Sequence, residues 1–229
     1  MVIISNPTLA NQRESSQWLR TGFLAHGIDA EITADRHKEA DVHVIQGNWY
    51  AYSEWLGKDN VLFLSRGFYG DERFDISLGW LRPDGSRDFK NHGMAVTKGI
   101  LPKLRPRKDA RRCAVVFGDY GRDAAPQVDE ARARFSSLFY KPHPRDEQVT
   151  QVMTLRCGLD EIWDFADVAI GHSSTVLVKA AINGLHVEST DPLHVVQGNE
   201  DREAWLMRMS WAMWNYKELE SGAFWDHLC

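Results

Sequence analysis

Short apolar runs alternate with amphipathic stretches through the first part of the chain. Four runs of four or five residues, typical of buried strands, lie at 2–5, 30–33, 42–46 and 61–65. Between the first two, apolar residues recur at helical spacing and predict a helix over 11–24, and a short helix is expected around 51–56. Such strand–helix–strand alternation predicts a parallel sheet covered on both faces.

A second alternating series begins at Cys113. It predicts strands over 113–119, 137–140, 168–170 and 186–190, and helices over 127–135, 160–166 and 175–182. Residues 66–99 show no clear period and are predicted as a long functional loop. Apolar residues at helical spacing from Trp205 to Leu219 predict one helix of about five turns over 202–220.

These patterns predict an α/β protein made of two Rossmann-like units, in a compact arrangement with a cleft between them. The first unit is expected over 1–102 and the second over 113–200, with a long C-terminal helix within 201–229 that braces the two. The intervening segment 103–112 contains six basic residues. A stiff, solvated linker and a strip that faces phosphate or DNA are both compatible with it.

The composition narrows the class of protein. With 229 residues, 43% hydrophobic and 26% charged, the chain is typical of a soluble globular protein. No apolar run approaches the ~20 residues of a membrane helix, and no basic region precedes the apolar N-terminus as in a signal peptide. Three widely spaced cysteines fit neither a zinc site nor a disulfide framework, so a reducing cytoplasm is expected. A net charge of −5 argues against a wholly basic surface but leaves room for a local basic groove.

Two strand ends of the second unit carry the main candidate chemistry. One opens into Lys141-Pro142-His143-Pro144, and the next opens into Gly171-His172-Ser173-Ser174-Thr175. Since the carboxyl ends of neighbouring strands face one crevice, the two segments together predict a phosphate cradle. The prolines restrict the backbone around His143, whose imidazole suits donation of a hydrogen bond or proton to a departing phosphate oxygen, and Lys141 adds positive charge. Three hydroxyl side chains stand at the helix start, where capping and phosphate binding are compatible: Ser173, Ser174 and Thr175.

Other candidate residues lie at further strand ends. Gly118 and Gly121 would let the backbone approach a nucleotide, although an ordinary turn fits them as well and no complete GxGxxG is present. Glu188 is either an acceptor for ribose hydroxyls or a solvated carboxylate. In the first unit, residues 65–73 follow a strand end and include basic, aromatic and acidic side chains. Arg66, Tyr69 and Arg73 of this segment are predicted to bind the acceptor, the molecule that receives the transferred group. The base that activates the acceptor hydroxyl is expected to be Asp71 or Asp75, for which surface carboxylates are the alternative reading.

The two strand-end segments also resemble motifs of known enzymes. His143-Pro144 and Ser173-Ser174-Thr175 are similar to the HP and S(S/T) motifs of bacterial sialyltransferases and capsule Kdo transferases, which have the GT-B fold and use nucleotide-activated sugars. The resemblance implies that His143, Ser173 and Ser174 contact the donor phosphate and that His143 assists departure of the leaving group. It depends on short motifs, and the acidic (D/E)(D/E)G motif of the sialyltransferase-like enzymes is absent, because Asp71-Glu72 is followed by Arg73.

A second resemblance covers more of the chain. The runs 66–73, 77–80 and 84–85 and the tail 205–225 resemble small phage-encoded glycosyltransferase-like proteins that pair them with an HP and SS-type second half. This implies a stripped-down GT-B architecture, since a typical GT-B enzyme is much longer. It also implies a host cytoplasm and a modified base in phage DNA as a natural acceptor, which a duplex would have to present by base flipping.

The sequence therefore predicts a glycosyltransferase that moves a sugar from a nucleotide-sugar to an acceptor hydroxyl, with DNA approached through the basic segment. The nucleotide-sugar would be the co-substrate, and no cofactor is expected. Because no DxD signature occurs, the transfer is predicted to be metal-independent. The alternatives are a nucleotide-sugar epimerase or polyol-phosphate transferase of the same fold, and a non-catalytic GT-B-like binding module.

Overall fold

The computed structural model describes residues 1–5, 10–35, 37–46, 53–69, 75–91, 94, 96–146, 148, 150–197 and 199–229, without the side chains of 10–12. The chain divides into two compact units, one formed by Met1–Leu101 with Leu206–Cys229 and the other by Pro102–Trp205. Each unit has its own β-sheet flanked by helices. The predicted α/β class is therefore confirmed.

The first unit is built on a mixed sheet. Its strands are β1 (Val2–Ser5), β2 (Ala30–Thr33), β3 (Val42–Gln46), β4 (Val61–Arg66), β5 (Ile76–Leu81), β6 (Arg87–Asp88) and β12 (Met213–Trp214). They lie in the order β2-β1-β3-β4-β5-β12, with β6 beside β5. Strands β1 to β4 are parallel, whereas β5, β6 and β12 join antiparallel.

Both faces of this sheet are covered. Alternate residues such as Val2 and Ile4 pack with Leu19 and Phe23 of helix α1 (Ala10–Ala25), within one core cluster. On the opposite face, other strand residues pack with Trp55 of a short 3-10 helix, Ser53–Trp55. Burial on both sides explains why these strands are apolar runs rather than alternating ones.

The second unit contains an entirely parallel sheet. Its strands are β7 (Cys113–Phe117), β8 (Ser137–Lys141), β9 (Met153–Thr154), β10 (Val168–Gly171) and β11 (His186–Ser189), in the order β11-β10-β7-β8-β9. The helices are α2 (Ala125–Arg132), α3 (Leu159–Phe165) and α4 (Val176–Ile182). The strands and helices predicted for this region are present, with ends shifted by a few residues. In the described residues no helix has the length and apolarity needed to span a bilayer.

The interpretation of 66–99 as a loop without secondary structure is wrong. Strand β5 lies within it and pairs with β4, and β6 pairs with β5 in turn. Ile76, Leu78 and Leu81 of β5 are buried. The sequence pattern does not reveal β5 because Gly79 interrupts its apolar residues. A side chain at Gly79 would not fit, because the Phe89 ring lies directly beside it.

The single C-terminal helix predicted over 202–220 is also wrong. The segment forms helix α5 (Arg202–Ser210), strand β12, helix α6 (Tyr216–Glu220) and then helix α7 (Ala223–Leu228). Met213 and Trp214 pair with β5 as the last strand of the sheet. Asn215 then starts a new helix, because its side chain accepts the N–H groups of the first turn. Pairing with a distant strand has overridden the helical periodicity.

The basic segment 103–112 contains neither helix nor strand, but it is bound to the second unit. The N–H of Arg105 donates to the carbonyl of Ile182 at 3.0 Å, and that of Lys108 donates to the carbonyl of Gly184 at 2.9 Å. The Arg105 guanidinium also lies 3.0 Å from the carboxylate of Asp164. Part of the predicted basic strip is thus engaged within its own unit.

Candidate functional site

The candidate site lies at the carboxyl edge of the second sheet. Strand β7 is central, and the chain leaves it for β8 on one side before it reaches β10 on the other. In open α/β sheets a crevice opens where the strand order reverses in this way, and ligands bind there. The ends of β7, β8 and β10 bring together the segments that begin at Gly118, Pro142 and His172.

His143 is held in one orientation beside the end of β8. Its Nδ1 accepts the backbone N–H of Arg145 at 3.1 Å, and its backbone forms a bridge with Asp146. Since Nδ1 is an acceptor, the neutral ring carries its proton on Nε2. The predicted phosphate contact therefore has a donor available, with the ring half-buried.

Asp119, which the sequence reasoning did not single out, connects two strand ends. Its carboxylate Oδ2 accepts the N–H of His172 at 3.2 Å and the N–H of Ser173 at 2.9 Å. Both N–H groups belong to the segment that is predicted to form part of the phosphate cradle. The carboxylate therefore positions the segment after β10, whose hydroxyl groups stay available as donors.

The three predicted hydroxyls lie together before α4. The Oγ of Ser174 accepts the N–H of Val176 at 3.4 Å, the N-cap residue Thr175 makes no side-chain cap hydrogen bond, and Ser173 and Thr175 are exposed. Among the described residues, no hydrogen bond involves the hydroxyl of Ser173 or that of Thr175. The contact with Val176 uses the Ser174 oxygen as an acceptor and leaves its O–H as a donor, so it is compatible with the predicted phosphate role of Ser174.

His172 is a second histidine at this edge. Its Nδ1 lies 2.9 Å from the Thr190 hydroxyl, which also accepts the side-chain amide of Gln127 at 2.8 Å. Burial, and then the positive charge of Arg122, lower the pKa of His172 below its usual value. The neutral ring is therefore favoured near pH 7.

Glu188 lines a small cavity beside this edge. The cavity has a volume of about 120 Å³. It is lined by residues of α2, β10 and β11 and of the turns that follow α2 and β11: Gln127, Glu130, Ala131, Arg134, Ile170, Glu188, Ser189 and Thr190. The carboxylate of Glu188 accepts the Arg134 guanidinium at 2.7 Å, so it is ion-paired rather than simply solvated.

Three other predicted residues have structural partners. The Lys141 ammonium donates to the carbonyl of Cys157 at 2.7 Å. Gly118 packs against the Tyr140 hydroxyl so closely that a side chain would not fit. Gly121 has a φ of 71° and donates its N–H to the Asp146 carboxylate at 2.9 Å. The glycines thus shape the loop after β7.

In the first unit, the predicted acceptor residues are placed only in part. Asp71 and Arg73 lie outside the described residues. Arg66 ends β4 and is exposed. Burial, and then the charge of Asp75, raise the pKa of Tyr69.

Lys98, which was not predicted, also lies near Asp75. Its ammonium is 3.5 Å from the centre of the Trp214 ring and 3.3 Å from the Glu218 carboxylate. Burial lowers its pKa to about 8, against the opposing effects of Glu218 and Asp75. The charge of Asp75 thus acts on both Tyr69 and Lys98 in the first unit. In the described residues, no three His, Cys, Asp or Glu side chains are grouped closely enough to hold a metal ion.

Comparison with solved structures finds a similar fold. The β-Kdo 2,7 transferase KpsC of Thermosulfurimonas dismutans aligns with a TM-score of 0.52 and 16% identity, over 82% of this chain and 78% of that chain. The β-Kdo 2,4 transferase KpsC of the same organism aligns with a TM-score of 0.49 and 11% identity, over 91% and 89%. No protein-family model matches the sequence, and no curated protein matches it. The first alignment shows that the chain shares its fold with a glycosyltransferase.

Proposed function

We propose that this chain is a glycosyltransferase that moves a sugar from a nucleotide-sugar donor to an acceptor hydroxyl. The observation that carries the proposal is the convergence of His143 and Ser173 at the carboxyl edge of the second sheet, where strand order reverses. The fold shared with a Kdo transferase supports it. We further propose that the fold is of the GT-B type.

In the proposed reaction, the acceptor oxygen bonds to the anomeric carbon while the bond from that carbon to the donor phosphate breaks. The Nε2–H of His143 would donate to the phosphate oxygen that gains charge, and the hydroxyls of Ser173 and Ser174 would bind the other oxygens. The proton of the acceptor hydroxyl requires a base, for which Asp71 and Asp75 are the sequence candidates. Glu188 is proposed to contact the ribose, with Arg134 as its partner.

A nucleotide-binding screen tests the donor site. We expect one of UDP, CMP, CDP or GDP to raise the thermal midpoint of the wild-type protein, because a ligand that binds only the folded state stabilises it. The shift should be lost in His143→Ala and reduced in Ser173→Ala. Ser136→Ala, an exposed serine of the same unit, should keep it. Absence of any shift in the wild type, or an unchanged shift in His143→Ala, would overturn the donor-site proposal.

We propose a hydroxymethylated base in DNA as the acceptor, on the basis of the phage resemblance. Lys103, Arg111 and Arg112 of the basic segment are exposed and would face the phosphates. Mass spectrometry of a hydroxymethylated duplex after incubation with nucleotide-sugars, beside an unmodified duplex of the same sequence, tests this. Modification of neither duplex, while a small acceptor is glycosylated, would exclude DNA and leave the transferase proposal standing.

A non-catalytic binding module is the second candidate, and one observation favours it. The Asp119 carboxylate already occupies two N–H groups at the phosphate edge, which places a negative charge close to the expected phosphate. Such a module would bind nucleotide without product formation. Chromatographic product analysis with and without an acceptor separates it from a transferase, and from an epimerase, which needs no acceptor.

A further inference from the structure

Tyr120 is an exposed aromatic residue in the loop that joins β7 to α2. Its relative exposure is 62%, although it lies at the carboxyl end of the central strand. Single exposed apolar residues are common and carry no meaning alone. What distinguishes Tyr120 is the way in which the loop around it is held.

The two residues next to Tyr120 in the chain are hydrogen-bonded to segments on opposite sides of β7. Asp119 accepts N–H groups of the segment after β10, as described above, and Gly121 donates its N–H to Asp146 in the turn after β8. The loop is fastened again where Gln148 accepts the N–H of Ala124 at 3.0 Å and donates to the carbonyl of Arg122. The loop that carries Tyr120 is thus held at the end of β7 by segments that follow β8 and β10.

The ring of Tyr120 lies next to His143. The two ring centroids are 5.6 Å apart, with an angle of 54° between the planes. Within the described part of the chain, the tyrosine hydroxyl has no hydrogen-bond partner, so the ring is not oriented by its polar end. Because the loop is already fixed, a ligand that binds there does not have to order it, and binding costs less conformational entropy. The exposed face of the Tyr120 ring is therefore a pre-ordered surface for a flat ligand.

We propose that Tyr120 is a stacking platform for the nucleobase of the donor. The inference rests on the proposed function, because it takes the donor phosphate to lie at His143. In a nucleoside monophosphate one ribose separates the base from the phosphate, which fits a platform that neighbours the histidine. Stacking on an aromatic ring tolerates every base, since each base has a π face. The platform should therefore contribute affinity without choosing between pyrimidine and purine.

Calorimetric titration of CMP, UMP, GMP, ribose 5-phosphate and inorganic phosphate into the full chain tests the proposal. Tyr120→Ala should weaken each nucleotide that the wild type binds about 5- to 150-fold, the range for loss of one base–aromatic stack. Affinity for ribose 5-phosphate and for inorganic phosphate should change less than twofold. Tyr120→Phe should bind nucleotides like the wild type, because it keeps the ring. Met153→Ala, which truncates another exposed apolar side chain of the same unit, should have no effect.

Each contrary result identifies what fails. Nucleotide binding that is equal in wild type and Tyr120→Ala would overturn the platform and leave the donor site intact. An equal loss for ribose 5-phosphate would mean that the ring contacts the sugar, which also overturns it. A loss for inorganic phosphate would mean that Tyr120 only orders the loop. Failure of the wild type to bind any nucleotide would overturn the proposed function and the platform with it.

Discussion

Replacement of Lys98 by methionine tests the energetics of the first unit. The ammonium of Lys98 donates to the carbonyl of Met213, lies over Trp214 and pairs with Glu218, while its side chain is only 13% exposed. Burial lowers its pKa from 10.5 to about 8. The protonated amine is therefore less favourable in the folded state than in the unfolded state, in spite of these partners.

The sign of the pH dependence follows from proton binding. Below pH 8 both states hold the proton, and the folded state bears the full cost of the buried charge. Between pH 8 and 10.5 the folded state releases its proton while the unfolded state keeps it, so the free energy of unfolding rises with pH. The difference between 10.5 and about 8, at 1.36 kcal/mol per pH unit, corresponds to about 3 kcal/mol.

Urea unfolding, followed by tryptophan fluorescence at pH 7 and at pH 10.5, measures this effect. The difference in unfolding free energy between wild type and Lys98→Met should shift by about 3 kcal/mol in favour of the wild type as pH rises. Subtracting the unfolding free energy of the variant from that of the wild type cancels the contributions of other titratable groups, such as Tyr69, whose pKa is raised. Lys58→Met is the matched control, since Lys58 lies over Trp55 at 4.4 Å but is exposed. Parallel pH profiles for wild type and Lys98→Met would refute the reasoning.

Two further predictions concern the second unit and the chemistry. Asp119→Ala should destabilise the second unit by about 1.5–3 kcal/mol in urea unfolding, because the N–H groups of His172 and Ser173 lose a charged acceptor. The control Asp109→Ala, at an exposed position, should change stability little. Unchanged stability of Asp119→Ala would contradict the inference that Asp119 holds the segment after β10 in place. Transfer activity should persist after chelation with EDTA, because the sequence lacks a DxD signature; loss of activity that Mg²⁺ or Mn²⁺ restores would contradict metal-independent transfer.

Strands β7 and β10 of the second unit could be predicted because each is a short, buried apolar run, whereas the two-residue strand β9 was not predicted. A strand that is buried on both faces is apolar along its whole length, so it can be recognised from the sequence without knowledge of its neighbours in the sheet. The C-terminal segment shows the opposite case. Met213 and Trp214 lie within the segment predicted as a helix, yet they complete the sheet by pairing with Ser77 and Ile76 of β5. The local periodicity contains no information about so distant a partner.

The candidate site could likewise be predicted only in part from the sequence. The positions of His143 and Ser173 at strand ends followed from the α/β pattern, because carboxyl ends of parallel strands share an edge. The roles of Asp119 and Tyr120 could not follow from it. They depend on β10 lying beside β7 rather than beside β9, its predecessor in sequence, and on the turn after β8 that holds Gly121. Strand order is set by the packing of the whole unit, so these contacts were accessible only from the structure.

The central claim is that His143 serves a donor phosphate, and one turnover measurement tests it most directly. Labelled nucleotide-sugars of the CMP, UDP and GDP series would be incubated with the protein and an acceptor mixture, and release of free nucleotide would be followed by chromatography. The wild type should release nucleotide from at least one donor, and His143→Ala should release it about 10²–10⁴ times more slowly, the usual contribution of a positioned proton donor. No release from any donor, or equal release by His143→Ala, would contradict the account.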